Sequence, residues 1–354
     1  MWAIGILLIY LAIKKEMEPA LLLPIGFGAI LVNIPLSNVL GSEGIIEWLF
    51  NVGIGASEAL PILLFIGIGA MIDFEPLIIN PKMMLMGAFA QLGIFVSMIL
   101  AVLLGFDIKD AASIGIIGAA DGPTSILVAQ KLGSNYVGAI MVVAYSYMAL
   151  VPIIQPTVIR LITTKKERLI RMNYSTRHAT KLVKIMFPIV ITMVAGLIAP
   201  KSLALVGFLM FGNLLKECGV LGTLADTAKN ELCNIITLLL GITIAFQMQA
   251  ENFLRLETLM IMALGLFAFV FDTIGGVMCA KVMNLFTKNK INPMIGAAGI
   301  SAFPMAARVV HKMGLKEDKN NYLLMHAVGV NVSGQIASAI VGGLIIGLVT
   351  GGAL

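Results

Sequence analysis

The stretch "GIIGAADGPTSILVAQ", residues 115–130, sets one carboxylate, Asp121, in an apolar neighbourhood and follows it at once with Gly122 and Pro123. A charge at mid-bilayer costs about 2.5–3.5 kcal/mol on insertion scales, so such a residue faces the protein interior and has a task. Glycine is permissive, and proline lacks the N–H and clashes with the preceding turn, so the pair disrupts a helix. An unwound segment exposes carbonyl oxygens beside the carboxylate, and Thr124 and Ser125 add hydroxyls. An all-oxygen set with one compensating negative charge is what a hard monovalent cation requires. The plainer reading is an ordinary Asp-Gly-Pro turn at the membrane surface.

The rest of the chain decides which solvent surrounds this motif. Of 354 residues, 59% are hydrophobic and 12% charged, with a mean hydropathy of +0.99. Soluble domains carry about 25% charged residues. The deficit and the long apolar runs predict a polytopic, all-α membrane protein. A β-barrel is disfavoured, because the runs are continuous rather than alternating. The 36 glycines permit close helix contacts and broken helices. Cys218, Cys233 and Cys279 have no metal-ligand spacing, and His178, His311 and His326 lie far apart. The net charge of +5 sits in loops between apolar spans, which argues against a nucleic-acid partner. The N-terminal "MWAIGILLIYLAIKKEMEP" has its lysines after the apolar core, unlike a signal peptide, and is read as a short first membrane segment.

The loop 163–184 carries seven basic residues, among them Arg177, against one acid, Glu167. The positive-inside rule makes it cytoplasmic. It lies near the middle of the chain, which divides into a first membrane half (1–162), this connector (163–184) and a second membrane half (185–354). "GAADGPTSI" from Gly118 and "GAAGISAFP" from Gly296 are offset by 178 residues, close to half the length. Polar-marked apolar helices follow both, "YSYMALVPIIQP" (145–156) and "HAVGVNVSGQIA" (326–337). Internal similarity with broken helices in matching places points to an inverted-repeat transporter with a midplane site. Short or Gly/Pro-containing segments are expected to be half-helices or re-entrant hairpins.

Further polar residues stand in apolar runs. In "NPMIGAAGISAFPMAAR" (292–308), Asn292 and Ser301 are polar, Gly296 and Gly299 allow close approach, and Pro293 and Pro304 break helix. Arg308 closes the motif, as a snorkelling helix-end anchor or as a fixed cation that binds a carboxylate. Asn331, Ser333 and Gln335 cover more than one helix face unless the helix is interrupted there, and serve packing and interhelical hydrogen bonds or a site. Tyr147 is a packing or interfacial tyrosine, or a hydroxyl that relays a proton or completes a cation site. Asp73, Asp107 and Asp110 read as interfacial; Asp272 is a second ionisable site or an interhelical partner. There is no GxSxG, HExxH, Walker A or Rossmann fingerprint, so free energy comes from a gradient or a partner's chemistry.

At these residues the sequence resembles the beta subunits of the sodium-translocating, biotin-dependent decarboxylases. These are the oxaloacetate, methylmalonyl-CoA, glutaconyl-CoA and malonate decarboxylases of bacteria and archaea. The similarity covers nearly the whole chain, including "IGIIGAADGPTSI" (114–126), "SYMALVPIIQPTV" (146–158), "NPMIGAAGISAFPMAARV" (292–309) and "LMHAVGVNVSGQIASAI" (324–340). It departs at Ala119, where the family often has glycine, and the N-terminus is shorter than in some relatives.

The resemblance implies an inverted-repeat, elevator-like architecture in the cell membrane. It also implies a subunit that decarboxylates carboxybiotin, consumes a proton and exports Na+. The essential aspartate of the family carries to Asp121, its tyrosine to Tyr147, and the second motif to Asn292, Gly296, Ser301 and Arg308. The late-helix asparagine carries to Asn331. On this basis Asp121, Tyr147, Ser301 and Arg308 are catalytic candidates. Arg308, Asn292 and Gly296 bind carboxybiotin, and Asp121, Ser301, Asn331 and Asn292 hold Na+. The implied partners are a biotin carrier, a carboxyltransferase alpha subunit and small gamma or delta membrane subunits, with a homotrimer of beta subunits. The competing reading is a stand-alone Na+-coupled carboxylate transporter.

Overall fold

The computed structural model describes residues 1–16, 19–41, 44–56, 58–172 and 178–351, and all regular structure among them is helical. Arg177 of the basic connector lies outside the described residues. In the first half, α1 (Trp2–Lys15) and α2 (Pro19–Leu31) form a pair. The helix α3 (Ile45–Phe50) runs into a π-helical turn, Asn51–Gly55, and α4 (Ala59–Met71) follows at a 67° bend. After α5 (Glu75–Ile79), α6 (Met83–Phe89) and α7 (Leu92–Leu103) form one apolar stretch. A helical hairpin follows, of α8 (Ile108–Gly115), a 3-10 turn (Ile116–Ala119) and α9 (Gly122–Leu132). The half ends with α10 (Val137–Ile162), bent by 67° between Met148 and Leu150. Pro152, inside that helix, has no N–H for the carbonyl four residues back, which is where the bend falls.

The short helix α11 (Lys165–Arg168) precedes a second half in which the order of elements recurs. It comprises α12 (Lys181–Ile198), α13 (Leu203–Glu217) and α14 (Gly222–Thr227), then a π-helical turn, Ala228–Leu232, and α15 (Cys233–Ile244). Beyond α16 (Ala250–Phe253) comes the long α17 (Leu256–Phe286). The second hairpin consists of a 3-10 segment, Pro293–Gly299, and α18 (Met305–Glu317), and α19 (Leu324–Val349) closes the half.

Two layers result. One is a row of helices in the spatial order α1, α2, α15, α4, α13, α12, each packed on the next. The other contains both hairpins with α6, α7, α10, α17 and α19. In it α10 packs on α17 and α18, while α19 packs on α6 and α9. The main core lies in this second layer, built from Ile116, Val128, Phe269, Ile295, Val310 and Ile336 among others.

Among the described residues five helices are long and apolar enough to cross a membrane, or up to seven if each bent pair is one span. The outward surface of α12 is apolar, with Leu182, Met193 and Leu197 exposed. In water such a continuous patch is a liability; in a bilayer it is the lipid-facing side. The chain is a multi-pass membrane protein.

The connector is held down at its start. Thr164 and Glu167 form a capping box on α11. Arg168 pairs with Glu317 at 2.9 Å and Arg171 with Asp318 at 2.6 Å, which fastens residues 168–171 to the end of α18.

Candidate functional site

Asp121 opens α9 as its N-cap and is buried, with 2% of its surface exposed. The preceding Ala120 has φ 51°, in the left-handed region that favours glycine, so the chain turns sharply between the 3-10 segment and α9. The carboxylate is bonded unevenly. Oδ2 accepts from Thr124 Oγ1 at 2.6 Å and from Ser338 Oγ at 3.0 Å. Oδ1 receives only the Thr124 backbone N–H, at 3.4 Å. The helix N-terminus adds the positive end of its dipole. Ser125 turns back to the Asp121 carbonyl at 2.8 Å. Ser338 is a member of the site that the sequence reading missed; its signal is a position seven residues after Asn331, on the same face of α19.

The second hairpin reaches the first through its backbone, for Ser301 N donates to Ala119 O at 2.9 Å. Each carbonyl from Ala297 to Ser301 is held by a side-chain amide. Gln155 donates to Ala297 O at 2.7 Å, Gln91 to Gly299 O at 3.3 Å, and Gln335 to Ser301 O. Asn331 donates to both Ala298 O (3.0 Å) and Ile300 O (2.7 Å). Backbone carbonyls only accept, so each amide must turn its NH2 toward them. The carboxamide oxygens of Gln91, Gln155, Asn331 and Gln335 are therefore left buried without a protein donor. Ser301 Oγ donates to Gly334 O at 3.0 Å. The helix α19 lies against the hairpin because Gly334 meets Gly299, where any Cβ would collide with the Gly299 carbonyl.

One face of the unbroken α19 thus carries Asn331, Gln335 and Ser338, while Ser333 turns to Met83 O on α6. The helix is not interrupted here, and of the two alternatives it is the one in which the polar residues serve different faces that holds. The two residues expected to share one Na+, Asp121 and Asn331, belong to separate hydrogen-bonded groups. Asn331 and Ser338 stand two helical turns apart, about 10 Å along the axis. Two oxygens on one small hard cation are at most about 5 Å apart. There are two neighbouring polar clusters: Asp121 with Thr124 and Ser338, and Ser301 with Asn331 and Gln335.

Other predicted residues fall elsewhere. Asn292 is buried but fully engaged at the connector, donating to Arg168 O (2.9 Å) and Ile170 O (2.8 Å) and capping Met294 N (3.1 Å). Among the described residues none of its hydrogen bonds reaches the hairpin tips; they clamp the connector to the start of the second hairpin. Gly296 packs the 3-10 segment against Gly276 of α17, each lacking a Cβ that would strike the other's carbonyl. Tyr147 donates to Met262 O on α17, away from Asp121. The tyrosine beside Asp121 is Tyr145, whose ring lies on Gly122.

Arg308 is exposed in a cavity of about 600 Å³ that also presents Arg160, Lys312 and Lys316. Its apolar wall includes Pro152, Pro156 and Met313. Asp272 accepts from Gly93 N at the start of α7, an interhelical partnership, and its Oδ2 has no protein donor. Asp110, expected at the interface, is buried and clasps the hairpin base through Ser134 Oγ (2.8 Å) and Asn135 N (2.8 Å).

Among the described residues no group of three His, Cys, Asp or Glu side chains converges on a point. One carboxylate with hydroxyl and amide oxygens nearby suits a singly charged hard cation better than a transition metal. Comparison with known proteins gives this site its context. The chain is 48% identical over 351 residues to the glutaconyl-CoA decarboxylase subunit beta of Acidaminococcus fermentans, covering 99% of this chain and 93% of the relative. It is 50% identical over 347 residues to the methylmalonyl-CoA decarboxylase subunit beta of Veillonella parvula, covering 98% and 92%. Against the oxaloacetate decarboxylase beta chain of Klebsiella pneumoniae it is 42% identical over 407 aligned positions, covering 98% and 94%. The sequence pattern of one family spans residues 1–349, and the chain belongs to that family, the Na+-transporting oxaloacetate decarboxylase beta subunits.

Proposed function

We propose that the chain decarboxylates carboxybiotin, with consumption of a proton, and couples that step to Na+ export through Asp121. It is the membrane subunit of a multi-subunit Na+-transporting decarboxylase. The observation that carries the reading is the buried carboxylate of Asp121 at a broken-helix tip, with the backbone of the opposite hairpin two residues away. A buried carboxylate without a counter-charge is costly. Na+ or H+ neutralises it, and one charge accommodates one of them at a time, so the two compete. Such competition is what an exchange coupled to proton consumption requires. Thr124 and Ser338 offer hydroxyl oxygens to the cation, and the free oxygens of Asn331 and Gln335 offer it neutral ligands further along α19.

Decarboxylation breaks the bond between the carboxyl carbon and the ureido nitrogen. The electron pair stays on nitrogen, which takes up the proton as CO2 leaves. Arg308 is the proposed anchor of the carboxylate, because it is exposed in a basic cavity with an apolar wall, matching an acid on an apolar ring. Ser301, buried between the hairpins, is placed to pass a proton between the clusters.

The palindromic row of helices supports an inverted repeat, since α2 meets α15 as α13 meets α4. So does the recurrence of a π-helical turn in the third element of each half. An elevator-like displacement of the hairpin layer against that row, partnership with a biotin carrier, a carboxyltransferase and small membrane subunits, and a trimer of beta subunits belong to the same proposal. Its test is Na+ uptake by proteoliposomes holding the whole complex with Asp121→Asn. Uptake and Na+-dependent decarboxylation should fall to background, and undiminished uptake would sink the reading. Arg308→Lys should weaken the apparent affinity for carboxybiotin; an unaltered value would remove the anchoring role.

A further inference from the structure

The geometry points to Tyr145 as a further oxygen ligand of the cation at Asp121, its buried, unpartnered hydroxyl lying at the end of the ring that rests on Gly122, the residue after Asp121. The inference rests on the reading of Asp121 as the cation site. Tyr145 is 1% exposed, and its ring lies among Ile126, Met141, Val142 and other apolar side chains. Among the described residues its hydroxyl has no hydrogen-bond partner. Buried tyrosine hydroxyls normally find one, and leaving one unpaired costs about 1–3 kcal/mol. A phenylalanine would fill the same space without that cost, so packing alone does not account for the hydroxyl.

Position gives it a use. A Cβ on Gly122 would strike Cζ, Cε1 and Cε2 of the phenol, so the polar end of the ring rests on the residue that follows Asp121. Asp121 Oδ2 already receives two hydroxyls, whereas Oδ1 has a single long bond. A cation drawn to Oδ1 would find in the Tyr145 oxygen a neutral ligand carried on the neighbouring helix. Tyr147, two residues on, is not equivalent, for its hydroxyl is committed to Met262 O. Tyr145 also belongs to the apolar cluster that joins α2, α4 and α15 to α9 and α10. The ligand therefore sits at the seam between the two layers but on the same layer as Asp121, so sliding of one layer on the other would carry the two together.

Tyr145→Phe in the complete complex, reconstituted in proteoliposomes, tests this. The phenyl ring keeps the contact with Gly122, so the melting temperature should equal or exceed that of the wild type. The Na+ concentration giving half-maximal decarboxylation and 22Na+ uptake should rise by about three- to tenfold, the worth of one neutral polar interaction. The rate at saturating Na+ should stay within about twofold, since an interaction that only binds the ion changes KM and not kcat. An unchanged Na+ requirement overturns the proposal. So does a lowered melting temperature with a lowered saturating rate, which marks a packing role. Asp121→Asn run in parallel separates the two layers of the argument. If it abolishes Na+ dependence while Tyr145→Phe has no effect, the ligand assignment alone fails; if neither has an effect, the cation site itself is misplaced.

Discussion

Gly334→Ala adds one methyl group where α19 crosses the second hairpin. The new Cβ would fall on the Gly299 carbonyl oxygen, which belongs to backbone and cannot swing away. Helix and hairpin must then separate by roughly an ångström. Four side-chain bonds span that contact: two from Asn331, one from Gln335, and one from Ser301 Oγ to the Gly334 carbonyl. At about 0.5–1.5 kcal/mol each, their joint weakening costs about 2–6 kcal/mol. Overpacking elsewhere costs about 1–3 kcal/mol, so a net loss of about 3 kcal/mol is expected. Alanine also favours helix over glycine by about 0.5–1 kcal/mol, which opposes the clash but does not cancel it. Gly347→Ala is the matched control, because it lies on the same helix with nothing within 4 Å. The assay is thermal unfolding of the purified complex in detergent, together with the Na+ dependence of decarboxylation. Gly334→Ala should lower the melting temperature and raise the Na+ requirement at least tenfold, while Gly347→Ala leaves both near the wild type. Equal behaviour of the two variants would refute the claim that this crossing holds the site in register.

Ser338→Ala removes a donor from a buried carboxylate, an interaction worth about 1.5–3 kcal/mol, and should raise the Na+ concentration for half-maximal uptake about tenfold or more. The carboxyl of Glu75 is held below its ordinary value of 4.5, chiefly by its hydrogen bond to Lys184 and also by those to Ala179 N and His178. The stabilisation from this pair is therefore complete at neutral pH and lost as pH falls below about 4.5 through the lower folded value. Melting curves between about pH 6 and 3 should fall more steeply for the wild type than for Glu75→Gln. Asn292→Ala frees Arg168 O and Ile170 O, and should loosen the connector, read as faster proteolysis or hydrogen exchange of residues 165–172.

What could be read from the sequence follows from what local chemistry controls. Asp121 with Gly122-Pro123 announces a helix break and a buried charge by itself, and the offset repeat of "GAA" places the second break. The residues that complete the site come from distant helices and carry no such mark. Ser338 is one small polar residue in an apolar helix, and Gln91 and Gln155 gain meaning only when their amides meet the carbonyls of residues 299 and 297. Tyr145 and Tyr147 are two residues apart in one helix, roughly 200° around its axis, so composition could not decide which of them faces Asp121. Asn292 is legible only in part: a polar residue beside a proline marks the motif, but its bonds to backbone carbonyls of the connector are not something periodicity can reveal.

The same connector has a practical consequence. Residues 168–171 are gripped by the amides of Asn292 and Asn321 and by Glu317 and Asp318, which come from the start of the second hairpin and from the far end of α18. The strand that joins the two halves is thus a handle on the hairpin rather than slack rope. A spectroscopic label at exposed Lys166, which is outside the grip, would ride with the hairpin and report whether it moves during turnover without a probe inside the ion path.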